Sequence, residues 1–312
     1  MDMHGSDTLG ILAGLCTAVL WTITAVCFES ASRRIGSLAV NILRLLVAVM
    51  LFSILSLYRA GTLFPMGLSG DAWLYLGLSG VIGFVVGDLL LFQAFVLIGA
   101  RLSMLIYAGT PLLTSLAGFV ILGERMSSWE IVGMVVVVAG IALAVLAKPA
   151  DENRSPTTAA RARGILYAMG GTAGQAAGLL LGKRGAGQMD SFTGTHIRAL
   201  FGLSGFLVVV LLARQGRAIV GLFPGLLGGE KAKSVRRALL VLGLGAVFGP
   251  FVGVSLGLLA TQRLPTGTAS TLMSLVPLLL IPVSALAFRE KVSIREVMGA
   301  VLAVAGVALL AW

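Results

Sequence analysis

Two blocks of this chain repeat each other at the positions that most constrain a backbone. From Pro111 the sequence reads PLLTSLAGFVILGERMSSWEIVGMVVVVAGIALAVL, and from Pro277 it reads PLLLIPVSALAFREKVSIREVMGAVLAVAGVALLAW. A shift of 166 positions (290 minus 124) lays Pro111 on Pro277, Glu124 on Glu290, Glu130 on Glu296, Gly133 on Gly299 and Gly140 on Gly306 without a gap. The register continues upstream, where Val81, Gly83, Val86, Gly87, Leu90 and Ala94 fall on Val247, Gly249, Val252, Gly253, Leu256 and Ala260. A second offset of 154 (198 minus 44) brings the segment around Gly10 and Arg44 onto that around Gly164 and Arg198. The chain is a duplication of about half its length, with an insertion of about 12 residues (166 minus 154) between Leu212 and Leu239.

Apolar content decides the solvent. With 58% apolar and 12% charged residues and a mean hydropathy of +1.01, the chain cannot hide its apolar surface in one water-soluble core. Apolar runs long enough to cross a bilayer place expected spans at Leu9 to Phe28, Leu38 to Tyr58, Trp73 to Leu97, Leu102 to Leu122 and Trp129 to Ala147. The second half supplies Gly164 to Gly182, Phe192 to Ala213, Ala238 to Ala260, Thr266 to Phe288 and Ile294 to Trp312. Residues 1–148 and 164–312 thus form two five-helix repeats joined by a linker at 149–163. An odd number of crossings per repeat starts the second one on the opposite side of the membrane. The expected fold is all-α and polytopic, ten transmembrane helices as two inverted five-helix repeats. That construction is typical of secondary transporters, in which each half gates one side of a central site.

The tandem block, with its proline, its short Gly-Glu-Arg or Arg-Glu-Lys turn and the two glycines on the following span, resembles the EamA-type drug/metabolite transporter family. The resemblance covers nearly the whole chain. It implies a ten-helix carrier of the inner (cytoplasmic) membrane for small metabolites, often amino acids or similar compounds moved outward, working by alternating access. It also implies a cavity lined mainly by the first, third, fourth, sixth, eighth and ninth spans.

Charge and polarity at bilayer depth single out the candidate substrate-binding residues. Asp88 stands near the middle of the third span, where a carboxylate is either protonated or paired with a cation, and its equivalent in the other repeat is Val254. A protonated state suits proton coupling, an ion pair suits a substrate ammonium, and a structural pair with Arg44 is the plainer alternative. Arg44 and Arg198 recur inside the second and seventh spans, where each must pair, snorkel or contact an anionic substrate group. Trp21 and Gln175 are equivalent in the first and sixth spans. The amide of Gln175 needs a partner in hydrocarbon, whereas Trp21 is read equally well as packing between helices. Gln93 and Tyr107 complete the set on the third and fourth spans.

Other features carry structural readings. Gly170, Gly174, Gly178 and Gly182 recur every fourth residue, as do Gly245, Gly249, Gly253 and Gly257, and such faces let helices approach closely. Pro111 and Pro277 are expected to bend the fourth and ninth spans. Glu124 and Glu290 read as caps at the following helix starts. Cys16 and Cys27, roughly 16 Å apart along one helix, cannot form a disulfide and read as packing residues.

Enzymatic chemistry is not expected. Gly253-Val-Ser255-Leu-Gly257 imitates a nucleophile elbow inside an apolar helix with no base nearby, and the spacing of Gly243, Gly245 and Gly249 does not fit a dinucleotide fingerprint. Two histidines with no cysteine or carboxylate beside them argue against a metal site, and no cofactor is expected. The formal net charge of +10 calls for membrane lipids rather than nucleic acid, and 219–227, flanked by basic residues, reads as an interfacial segment. Expected partners are a small-molecule substrate, proton-coupled in one version, and in another version a second copy of the chain. The N-terminal tail holds no Lys or Arg, so the first apolar run reads as a retained span rather than a signal peptide. Basic residues crowd the connections after the fifth, seventh and ninth spans, which by the positive-inside rule puts both termini outside the cytoplasm. The family resemblance implies both inside.

Overall fold

The computed structural model describes residues 3–122, 127–146, 157–216, 219, 221, 229–264, 269, 272–288 and 292–309, and among these there is no strand. The first half runs α1 (Met3–Ile35), α2 (Ser37–Ala60), α3 (Gly70–Ser79), a π-helical segment (Gly80–Gly87), α4 (Asp88–Tyr107), α5 (Thr110–Leu122) and α6 (Ser128–Leu146). The second half runs α7 (Thr158–Ala186), α8 (Ser191–Leu212), α9 (Gly229–Ala246), a second π-helical segment (Val247–Gly253), α10 (Val254–Arg263), α11 (Val276–Phe288) and α12 (Ile294–Leu309). Helix starts follow local chemistry. Ser69, Thr157 and Asp190 cap α3, α7 and α8 by accepting the backbone N–H of Ala72, Ala160 and Thr193. Gly61, at φ 69°, closes α2 in the left-handed conformation that glycine adopts without strain.

Five helical stretches are long and apolar enough to cross a membrane: Thr8–Ile35, Ser37–Ala60, Gly70–Tyr107, Ser191–Leu212 and Ala232–Arg263. The remaining expected spans correspond to helices that are shorter, interrupted or less apolar. The sixth lies within the 29 residues of α7, whose apolar face is mostly glycine and alanine and whose ends carry Arg161, Arg163, Lys183 and Arg184. The glutamate turns around Glu124 and Glu290, residues 149–156 of the linker and most of 219–227 lie outside the described residues, while the rest of the linker begins α7.

The duplication extends to backbone irregularities. At the end of each π segment a wide turn closes, with the Asp88 N–H bonded to Gly83 O and the Val254 N–H to Gly249 O. Glycines supply the slack in both, and Pro250 removes one donor in the second. The fourth and ninth spans break at matching points, 108–109 and 274–275. Pro111 and Pro277 do not bend a continuous helix there; each is the second residue of the helix that restarts, where its missing N–H has no partner to lose. A further break separates the third span from the fourth: at Gly99 (φ 79°, ψ 160°) the backbone leaves the helical conformation and a new helical stretch begins. There the buried Glu29 carboxylate accepts the Ala100 N–H at 3.0 Å and caps the restarted turn.

Equivalent helices pack reciprocally. The glycine face of α7 lies antiparallel on the α3–α4 rod, so that a Cβ at Gly174 or Gly178 would stand 2.6 or 2.9 Å from the Cα of Gly87 or Gly83. Likewise α1 lies antiparallel on the α9–α10 rod, with Trp21, Thr24 and Phe28 facing Gly253, Gly249 and Gly245. The fifth-span helices α6 and α12 also run antiparallel, Gly140 against the Gly299 carbonyl and Gly306 against the Gly133 carbonyl. So do α2 and α8, with Leu45 facing Gly202 and Ser53 bonded to His196. The interior between them is aromatic and aliphatic, centred on Phe28, Phe52, Phe95, Phe206 and Leu45. Cys16 and Cys27 are both free thiols on α1.

Candidate functional site

A cavity of about 70 Å³ opens where α1, α7 and the two π segments meet. Six of the seven residues singled out by polarity line it: Trp21, Arg44, Asp88, Tyr107, Gln175 and Arg198. A smaller cavity of about 30 Å³ adjoins it, sharing Trp21, Tyr107 and Gln175 and reaching the two broken helices at Pro111 and Pro277. The residues come together because the third span crosses both α2 and α7. One turn of α2 carries Arg44, the first turn of α4 carries Asp88, and the glycine contacts of α7 bring Gln175 beside Gly87.

The charged centre is a buried ion pair. An Arg44 guanidinium nitrogen lies 2.5 Å from Asp88 Oδ2, with 4% and 11% of the two side chains exposed. Asn41 braces the arrangement: its Oδ1 accepts from Arg44 Nε at 3.0 Å, and its amide donates to Ser37 O and, at 3.4 Å, to Asp88 O. Around the guanidinium stand three rings, with Arg44 Cζ 4.8 Å from the centroid of Phe92, 5.5 Å from Phe28 and 5.7 Å from Phe84. In this structure the cation beside Asp88 is Arg44 of the protein itself.

Arg198 is held differently. Its Cζ lies 5.2 Å from the same Phe84 ring. Its Nε is buried with no hydrogen-bond partner among the described residues, and the side chain is 3% exposed. Val254, the counterpart of Asp88, also lines the cavity and offers no charge. Thr24 Oγ1, on the cavity wall beside Gly249, is a second buried polar atom without a hydrogen-bond partner among the described residues. Trp21 meets Tyr107 edge to face at 6.4 Å between centroids, narrowing the passage from one cavity to the other.

Gln93 stands apart from these groups. It lines a separate cavity of about 450 Å³ with Ser32, Leu38, Val96, Val209 and Gln215, at the start of α2 and the end of α8. At the other end of the same helix pair a cavity of about 370 Å³ holds Arg59, Asp190, Phe192 and His196. Phe251, next to the central cavity's Pro250, packs edge-on against Phe52 at 4.8 Å and Phe192 at 5.8 Å, two rings that line this cavity. Residues that polarity in the sequence does not single out therefore matter to the site: Asn41, Thr24 and Phe84. The sequence signal for Asn41 is its place one turn before Arg44 on the same helix face.

The pattern of the EamA-like transporter family matches residues 8–146 and again residues 162–312. No protein of curated function matches the chain. Among matching chains of known structure, a crystal structure described only as that of a protein superposes with a TM-score of 0.61 at 18% identity, spanning 96% of this chain and 95% of its own. At that identity the likeness is one of fold. Together with the five long apolar helices, the family match makes this a multi-pass membrane protein.

Proposed function

The chain belongs to the EamA-like transporter family, and we propose that it is a secondary transporter of ten spans in two inverted repeats, moving a small polar or amphipathic metabolite across the cytoplasmic membrane by alternating access, in the export direction. The observation that carries this reading is a central cavity built from equivalent positions of both repeats, with a vestibule at each end of the α2/α8 pair. The antiparallel contact of equivalent helices, α2 with α8 and α6 with α12, supports an axis lying in the membrane plane. The two breaks beside Pro111 and Pro277 support a site at the bilayer midplane, since interrupted helices are tolerated where they line a cavity.

Asp88 and Arg44 form the element that couples transport to the membrane's ion gradient. A proton delivered to Asp88 releases Arg44 from its partner and loosens the contact between the second and third spans; loss of the proton restores the clasp. Purified chain in proteoliposomes should show solute-driven proton movement with a panel of amino acids, amines and organic acids. Asp88→Asn, with the protein still monodisperse, should abolish that movement. Undiminished proton movement in the variant would make the pair structural, and no solute flux under any gradient would favour a non-transporting membrane scaffold instead.

A further inference from the structure

Resting on the transporter reading, we propose that the cargo is an organic monoanion, with its negative group seated between Arg198 and Thr24 and its apolar body against Trp21, Met104 and Met273. The charge balance of the cavity argues for it. Its wall holds two guanidiniums and one carboxylate. Asp88 is already bound to Arg44 at 2.5 Å, so that pair is neutral and closed, and one positive charge is left over. That charge belongs to Arg198, whose Nε has no hydrogen-bond partner among the described residues and which feels Asp88 only as a neighbouring charge, since that carboxylate is bonded to Arg44. A cation held this deep without a counter-ion is costly, and an anionic ligand removes the cost on arrival.

Hydrogen bonding points to the same cavity. Two of the buried polar atoms without partners, Arg198 Nε and Thr24 Oγ1, belong to residues of this one cavity. Both can donate, and a carboxylate or phosphate oxygen accepts from both. The rest of the wall is apolar: Phe28, Leu179, Met104, Met273 and the Trp21 ring suit a hydrocarbon or aromatic body. A zwitterion fits less well. Its ammonium would find no anionic partner here except Asp88, and reaching it would mean breaking the Arg44 clasp.

Three solutes with one branched carbon body separate the cases: α-ketoisocaproate carries a negative charge, leucine is a zwitterion, and isoamylamine is a cation. In counterflow with the full-length chain in proteoliposomes, α-ketoisocaproate should exchange about tenfold faster than either of the others. It should also raise the unfolding temperature of the detergent-solubilised chain. Arg198→Gln should lose both effects, and Arg198→Lys should keep part of the flux. If Arg198→Gln does not fold, Thr24→Val tests the same cavity, with anion affinity expected to fall by about threefold to tenfold. Faster exchange of leucine or isoamylamine, or anion flux unchanged in a folded Arg198→Gln, overturns the inference and leaves the transporter reading standing. Absence of exchange and of thermal stabilisation for all three overturns the inference, and the transporter reading falls with it only if the wider panel of amino acids, amines and organic acids also shows no flux.

Discussion

Arg44 and Arg198 occupy the same position of two duplicated helices and share one aromatic neighbour, Phe84, yet their electrostatic situations are opposite. The first is clasped by Asp88 and braced by Asn41; the second has no ion pair of its own among the described residues, and Val254 stands where its repeat would carry the equivalent carboxylate. Duplication supplies two deep cations in a symmetric scaffold, and one substitution between positions 88 and 254 divides their roles. The neutralised cation holds two spans together. The other gives the cavity its sign.

The sharpest way to break this comparison is to delete the one carboxylate. Asp88→Val makes the two repeats alike at this position and leaves Arg44 buried without its counter-ion. Removing one member of a buried pair costs about 3 kcal/mol or more. The expected result is a large drop in stability in reversible SDS unfolding, together with loss of flux. An unchanged unfolding midpoint would mean that the clasp contributes nothing to the fold.

Moving the carboxylate tests the other half. Val254→Asp places an acid on the second repeat as Asp88 stands on the first, and the duplicated register directs it toward Arg198. With the Arg44 pair intact, stability should change little, while α-ketoisocaproate exchange should fall by about tenfold as the free cation is neutralised. Combining it with Asp88→Val transfers the ion pair from one repeat to the other, and should recover stability lost in the single Asp88 variant. Failure to recover would show that Asn41 and the rings of Phe28 and Phe92, which stand around Arg44 and not Arg198, make that position non-exchangeable.

Much of the site was legible because hydrocarbon makes polarity conspicuous. Asp88, Arg44, Arg198 and Gln175 stood out as groups that a bilayer tolerates only with partners, and all four line one cavity. Gln93 followed the same logic and went elsewhere for a geometric reason. Along the third span the cavity takes Phe84, Asp88, Leu91, Phe92 and Phe95, one helical face, and a residue five beyond Asp88 is turned well away from that stripe. The π segments left no readable mark, since glycine-rich apolar sequence is compatible with a regular helix as well, whereas the break at Gly99 falls between the expected third and fourth spans. Glu29 was missed for a related reason. It sits at the end of an apolar run beside Arg33, which looks like a solvated i, i+4 pair, and only the fold shows its other oxygen capping Ala100. The close approach of helices along their glycine faces was legible in outline, because the repeat and its glycine spacing both follow from the sequence.

The two glycine interfaces provide the gentlest comparison. At Gly174 an added methyl would meet backbone, the Cα of Gly87 at 2.6 Å and its N at 2.9 Å, so α7 itself would have to move away from the third span. At Gly249 the nearest atom, at 2.7 Å, is Thr24 Cγ2, the end of a side chain that can rotate. Gly174→Ala should therefore cost about 2 kcal/mol, in the range of overpacked interiors, and Gly249→Ala less than about 1 kcal/mol. The same pair of variants reports on transport. Turning Thr24 aside should weaken anion binding in Gly249→Ala although its fold is intact, whereas Gly174→Ala should lower stability and flux together. Equal unfolding losses at the two positions would mean that the interfaces are equally rigid, and that the symmetry between the repeats reaches their mechanics as well as their shape.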